Sequence, residues 1–382
     1  MKRIRIQALY LKSLVVYLLA VLFIILIVIH SEETIGAVRS ALGLCYQTII
    51  PSLFPFFVLS GLLVQTGFVR VAGNFLSPVM RPLFRVGGSG ALAFAIGVVS
   101  GYPMGAKMVC ELYGGGLVTK TEGRRLLPYC NNSGPLFIIG AVGVGMLSSL
   151  QAGIFLYVVH LVSALLVGLL FRFYQRGEAC GGGQRERIAS GVKRDLRGHW
   201  TQEQRSLGEI FSDCVRSAVN TTLAICGFIA VFSAFLECLK PAIDALVTAA
   251  VPNLVVKGLF EVTLGASSVA ACALPLAVKL VLASALIGFG GLCVHLQVIG
   301  IISKTDLGIK TYLVGKTLHG ILSAVVSFLA LHTLDPATVM TWSGGAGYVP
   351  QNESTVLVCF VLFAVAAAAC LLKRFVGGKK KI

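Results

Sequence analysis

An all-α polytopic membrane fold, made of inverted-topology repeats with broken or re-entrant helices, is what this chain predicts, on three observations. Hydrophobic residues are 56% of the 382 and charged residues 13%, with a mean hydropathy of +0.87, a balance that no soluble surface tolerates. Long apolar runs are separated by clusters of Lys and Arg. The two halves also carry similar segments in the same order, each interrupted by Gly, Pro, Ser or Asn. At about 20 residues per span, the length suits roughly eight to ten helices in one membrane domain.

The net charge of +16 would suggest a polyanion partner in a soluble protein. Here the basic residues lie at helix ends and in loops, where they orient the chain and meet anionic lipid headgroups, so membrane lipids are expected as partners and nucleic acid is not. Eleven cysteines, among them Cys45, Cys110, Cys226, Cys272, Cys293, Cys359 and Cys370 in apolar runs, form no CxxC and no spaced Cys/His set. They read as small buried hydrophobes, and neither metal nor cofactor is expected.

Taken in order, "MKRIRIQALYLK" followed by the uncharged run Ser13 to Ile29 reads as an uncleaved first helix, residues 1–40, with Lys2, Arg3, Arg5 and Lys12 holding the N-terminus in the cytoplasm. A second helix, Ala41 to Thr66, is kinked by Pro51 and Pro55. Arg70, Arg81 and Arg85 mark an amphipathic piece. Ala91 to Cys110 is apolar but interrupted at Ser100 to Gly105, as in a re-entrant hairpin. Lys120, Arg124 and Arg125 keep the next loop inside, with Thr121 and Glu122 at a helix start. Crossings at Leu126 to Leu147, opened by "NNSGP", and Ala152 to Phe171 complete a first repeat, 41–172. Residues 173–209, polar, basic and Gly-rich, read as a cytoplasmic linker. The second repeat, 210–332, has segments Phe211 to Leu239, Leu259 to Ala285, Leu286 to Ile302 and Thr311 to Leu331, with Lys304, Lys310 and Lys316 in a cytoplasmic turn. An external loop, 333–353, precedes a last helix and basic tail, 354–382, so both termini are cytoplasmic.

"FAIGVVSGYPMGA" parallels "FEVTLGASSVAAC", and "YVVHLVSALLVG" parallels "YLVGKTLHGILSAVV". By the charge rule the two copies are oppositely oriented, the arrangement in which solute sites lie near the midplane where paired broken helices meet. In hydrocarbon each unpaired backbone group costs several kcal/mol, so a break survives only against protein or a wet cavity. Ser100, Gly101, Tyr102, Pro103 and Gly105 therefore predict a substrate cavity. The freed N–H groups after the break, with Lys107, would seat an anion. The plainer alternative is that the glycines pack helices and Lys107 snorkels. Asn131, Asn132 and Ser133 supply donors and acceptors where water is scarce, although an Asn there also caps a helix. Thr263, Ser267 and Ser268 occupy the matching place in the second half. Glu261 is a candidate coupling residue, with an i,i+4 pair to Lys257 as the alternative. His160, His295 and His319 read first as helix–helix hydrogen-bonders. No nucleophile elbow, zinc helix or phosphate loop is present in the sequence, so no enzyme is expected.

At "SGYPMGAK" together with "TEGRRLLPYCNNSGPLFIIGAVGVGML" the sequence resembles the YlbJ-type sporulation integral membrane proteins of endospore-forming bacteria. These carry the nucleoside-recognition or Gate domain, shared with spore maturation proteins, concentrative nucleoside transporters and the gate region of ferrous-iron permeases. The resemblance extends over residues 10 to 372 and implies a nucleoside-transporter-like, Gate-like fold that moves dipicolinate across the outer forespore membrane during sporulation. A small anionic solute is then the expected partner. A nucleoside transporter, and a non-transporting assembly factor that docks through the basic linker, stay open, as does a homo-oligomer.

Overall fold

The computed structural model describes residues 2–65, 78, 80–175, 206–246 and 250–333. Most of the expected linker, the external loop and the last helix with its tail lie outside these residues. Every regular element among the described residues is helical.

Helix α1 (Lys2–Ile29) and α2 (Ser31–Leu44) meet at His30 with a bend of 96°. The second helix thus begins ten residues before Ala41, because "SEET" offers acidic residues to its first turn and no breaker follows. A π-helical turn, Cys45–Ile49, leads into α3 (Ile50–Gln65), which contains Pro55. Helices α4 (Ser89–Ser100) and α5 (Met104–Gly114) form a hairpin around Gly101. Helix α6 (Lys120–Cys130) starts on a capping box, in which Thr119 Oγ1 accepts from Glu122 N–H and the Glu122 carboxylate accepts from Thr119 N–H. The start is therefore Thr119 and not Thr121. After "NNSGP" comes a π-segment, Leu136–Met146, and then α7 (Leu150–Phe171).

The second half repeats this order. Helix α8 (Leu207–Leu246) corresponds to α3. Helices α9 (Ala250–Phe260) and α10 (Val262–Ala271) form a hairpin broken at Glu261. Helices α11 (Leu276–Phe289) and α12 (Gly291–Ile302) meet at Gly290, whose φ of +93° only glycine adopts easily. Helix α13 (Lys310–Thr333) corresponds to α7. The expected single segment Leu259 to Ala285 is thus three elements: Glu261 caps α10, and Pro275 opens α11. The expected crossing Leu286 to Ile302 belongs to a longer span, Leu276–Ile302.

Among the described residues, four helices are long and apolar enough to cross a membrane, or five if α1 and α2 count as one bent span. Packing is reciprocal between the halves: α6 lies on α13 and α7 on α11, while α5 lies on α12 and α10 on the π-segment. Their relative direction follows from one end of the molecule. Arg125, near the start of α6, donates to the carbonyls of Tyr174 and Gln175 just past the end of α7. The loop before α13 reaches the same end, since Asp306 accepts from Lys120 Nζ and Tyr113 Oη, and Arg124 donates to Leu307 O at 2.8 Å. Helix α7 ends where α13 begins, so the corresponding elements run oppositely and the repeats are inverted.

Candidate functional site

The breaks of the two halves converge. A Cβ on Gly101 would lie 2.8 Å from Gly134 N, so the α4–α5 break touches the "NNSGP" break backbone to backbone. Beside this contact lies a cavity of about 40 Å³ lined by Ser100, Gly101 and Tyr102, by Ser133 and Gly134, by Glu261 and Thr263, and by Cys293 and Gln297 of α12. Ile49, Leu53 and Phe57, with Ile225 and Ile229 of α8, add apolar lining. Matching elements of both repeats thus face one another across it.

Of the residues expected to line a site, Ser100, Gly101, Tyr102, Ser133 and Thr263 do so, as does Glu261. Glu261 Oε2 accepts from Leu264 N–H at 2.6 Å, a carboxylate capping the helix it precedes. The N-terminus of α10, the counterpart in the second repeat of the α5 terminus expected to seat an anion, is thus already met by the protein's own acid. Lys257 lies in a separate cavity with Lys240, Asp244 and Asn253, so it is not the partner of Glu261.

Other expectations need correction. Lys107 is half exposed and stands 3.9 Å from Glu111 on the same helix. The buried stripe of α5 is Gly105, Ala106, Val109, Cys110 and Leu112, which leaves Lys107 on the opposite face, away from the cavity. Met104 N–H is taken up by Gly101 O at 3.1 Å. Gly105 lets the Cys130 carbonyl oxygen approach, since a Cβ there would lie 1.8 Å from it, and neither Gly105 nor Pro103 lines the cavity. Ser267 does not line it either, and Ser268 borders the second cavity.

Asn131 and Asn132 are fully buried; Asn132 Nδ2 donates to Tyr129 O at 2.7 Å, and Asn131 belongs to a polar network behind the cavity that the sequence did not reveal. Lys316 of α13, fully buried, donates from Nζ to Asn131 O at 3.1 Å and reaches His319 Nδ1 at 3.0 Å. His319 Nε2 lies 3.0 Å from His160 O, so it carries the ring proton and Nδ1 is the acceptor for Lys316. His160 Nε2 accepts from Ser133 N–H at 3.0 Å, and the two imidazoles stand 4.4 Å apart. Asn131 Nδ2 donates to Tyr312 Oη, which lies 3.0 Å from His295 Nδ1. The helix–helix reading of the histidines thus holds for these three contacts. Lys316 had been assigned to a turn. It lies about 9 Å into α13 at 1.5 Å per residue, and the signal that marks it is a lysine followed by a histidine three residues later, on one helix face, inside an apolar run.

An all-helical membrane protein whose inverted halves break at a shared cavity is the class that fold and site define. Residues 47–174, from within the π-helical turn after α2 to just past α7, match the family described as nucleoside recognition, the Gate family. Over 355 residues the chain is 35% identical to the sporulation integral membrane protein YlbJ of Bacillus subtilis (strain 168), across 88% of this chain and 86% of that one. The chain belongs to this family of sporulation integral membrane proteins. No solved structure matches it.

Proposed function

We propose that the protein is a transporter that carries a small polar solute through the cavity between its inverted repeats. One observation carries the reading: breaks in both repeats meet at a shared cavity whose largely apolar lining carries a few polar groups, the arrangement in which one repeat rocks against the other around a fixed site. At about 40 Å³ the cavity has room for a few water molecules, so the reading requires the repeats to part when solute enters. By the family resemblance the solute is dipicolinate and the membrane is the outer forespore membrane; the basic flanks put both termini in the cytoplasm. Labelled dipicolinate should accumulate in vesicles that contain the purified protein; uptake no greater than into empty vesicles would remove this substrate.

A second reading is favoured by the lining itself. The cavity presents hydroxyls, one amide and the Glu261 carboxyl but no basic side chain, which suits a neutral solute such as a nucleoside better than a dianion. Nucleoside uptake that dipicolinate does not compete with would select it.

A further inference from the structure

The cavity explains Glu261 and Ser133 but not Lys316, an amine buried among neutral partners at the crossing of the two broken helices. Its stem leans on the second break, since Lys316 Cε lies 3.8 Å from a Cβ position on Gly290, and its Nζ bonds to Asn131 O in the first. Asn131 ends α6 with φ −90° and ψ 84°, so its carbonyl has left the helical pattern and points from the negative end of a half-helix. Unwound carbonyls at half-helix C-termini are where transporters of this architecture hold coupling cations.

The groups facing Lys316 are His319 on its own helix, His160 from α7 and His295 from α12, all within reach of its charge. Tyr312 is a further neighbour on α13, and α6 brings the Asn131 carbonyl. From α11 the only amine, Lys279, is turned away to Ala270 O at 2.8 Å. Glu261, across the cavity, is occupied by the N-terminus of α10. None of the ion pairs formed by described residues includes Lys316.

We propose that Lys316 is a tethered coupling cation: its ammonium takes the place of a bound sodium ion at the end of α6, and its gain and loss of a proton couple solute movement to the proton gradient. This rests on the transporter reading. Both partners of Nζ are acceptors, and a neutral amine keeps two hydrogens. Lys316 therefore gives up its proton without surrendering either hydrogen bond, and what changes is the charge. The ammonium draws the α6 end and α13 together, whereas the amine leaves only two neutral hydrogen bonds between them. The cycle takes one proton onto Nζ from the water on one side of the membrane and returns it to the other.

Two measurements on the full chain test this. The first needs no solute: hydrogen–deuterium exchange around Asn131 to Gly134, corrected for the intrinsic rate, from mildly acid to mildly alkaline pH. One linked proton shifts local opening by about tenfold per pH unit, and this dependence should vanish in Lys316→Met. A wild-type profile that is flat, or identical to that of the variant, overturns the proposal. The second is uptake driven by a pH gradient with choline in place of sodium. Wild type should accumulate solute, while Lys316→Arg, which keeps the charge but cannot release its proton, should only equilibrate it. A sodium requirement in the wild type, or accumulation by Lys316→Arg, would refute the coupling role. Should Lys316→Met not insert, Lys316→Arg replaces it in the exchange experiment with the same expected flat profile. Pronounced pH dependence of exchange without dipicolinate uptake would reject that substrate and leave the role of Lys316 standing.

Discussion

A Cβ placed on Gly265 would lie 2.2 Å from the Cα of Gly258, so α9 and α10 touch backbone to backbone. In the first repeat Gly97 and Gly105 do the same for α4 and α5, with the Cys130 carbonyl oxygen wedged against both. Each hairpin is closed by main chain, and no side-chain rotation relieves an added methyl there. Gly105→Ala and Gly265→Ala should each destabilise the protein by at least about 1–3 kcal/mol, the usual cost of overpacking. Gly300→Ala, with open space around it, should be neutral or slightly stabilising. Melting temperatures of the three variants in one detergent check this.

Arg125, 2% exposed, spends its guanidinium on the carbonyls of Arg85, Tyr174 and Gln175. Arg125→Met removes the donor to all three and should cost roughly 3 kcal/mol. Arg125→Lys should recover little of that, because an ammonium cannot reproduce the fork. Chemical or thermal denaturation of both variants gives the comparison.

Glu261→Ala removes the α10 cap and should lower stability by about 1 kcal/mol. Glu261→Gln keeps an acceptor for Leu264 N–H and should restore most of it. If the charge of Glu261 matters to the solute, Glu261→Gln should alter selectivity between charged and neutral solutes while the melting temperature stays near wild type.

Lys107→Ala should change solute uptake by less than about twofold, since the side chain is exposed and its ion pair with Glu111 is a surface one. A complete loss of uptake with normal insertion would put Lys107 back at the site.

Asp306 and Lys120 join the two repeats at one end, and hydrogen bonds from Lys120 and Tyr113 hold the Asp306 carboxyl below its ordinary value of 3.8. A depressed carboxyl contributes stability above that value and loses it as pH falls through the lower, folded one. The melting-temperature advantage of wild type over Asp306→Asn should therefore be small at neutral pH and shrink below pH 3.8. A carbodiimide should also join Lys120 to Asp306 directly, and a cross-link mapped elsewhere would count against the inverted arrangement.

Where the chain breaks was legible, because Gly101, Pro103 and Pro135 state their conformational demands locally. Glu261 stood out as a lone acid in an apolar run, but its place as the cap of α10 did not. The direction of side chains was harder to read. Lys107 follows the break closely enough to look like part of it, yet its position on α5 places it on the exposed stripe with Glu111. Lys316 reads in one dimension as another basic residue after Lys304 and Lys310. Its bond to Asn131 spans 185 positions, and the Lys–His spacing on α13 marks the residue without revealing that partner. The split of Leu259 to Ala285 into α9, α10 and α11 was hidden for a related reason: Ala, Ser and Leu fit a continuous helix as well as a broken one, and the Glu261 cap and Pro275 choose between them.

The small volume between the breaks has a practical consequence for finding ligands. Fitting compounds to the closed cavity would select molecules no larger than a few waters, whatever the true cargo. On the transporter reading, the apolar lining of Ile49, Leu53, Phe57, Ile225 and Ile229 would have to withdraw before anything larger enters, and that withdrawal would expose apolar surface. Affinity will therefore be set as much by how well a solute covers that surface as by the polar groups it finds. An aromatic ring with polar edges does both, whether it belongs to a pyridine or to a nucleobase.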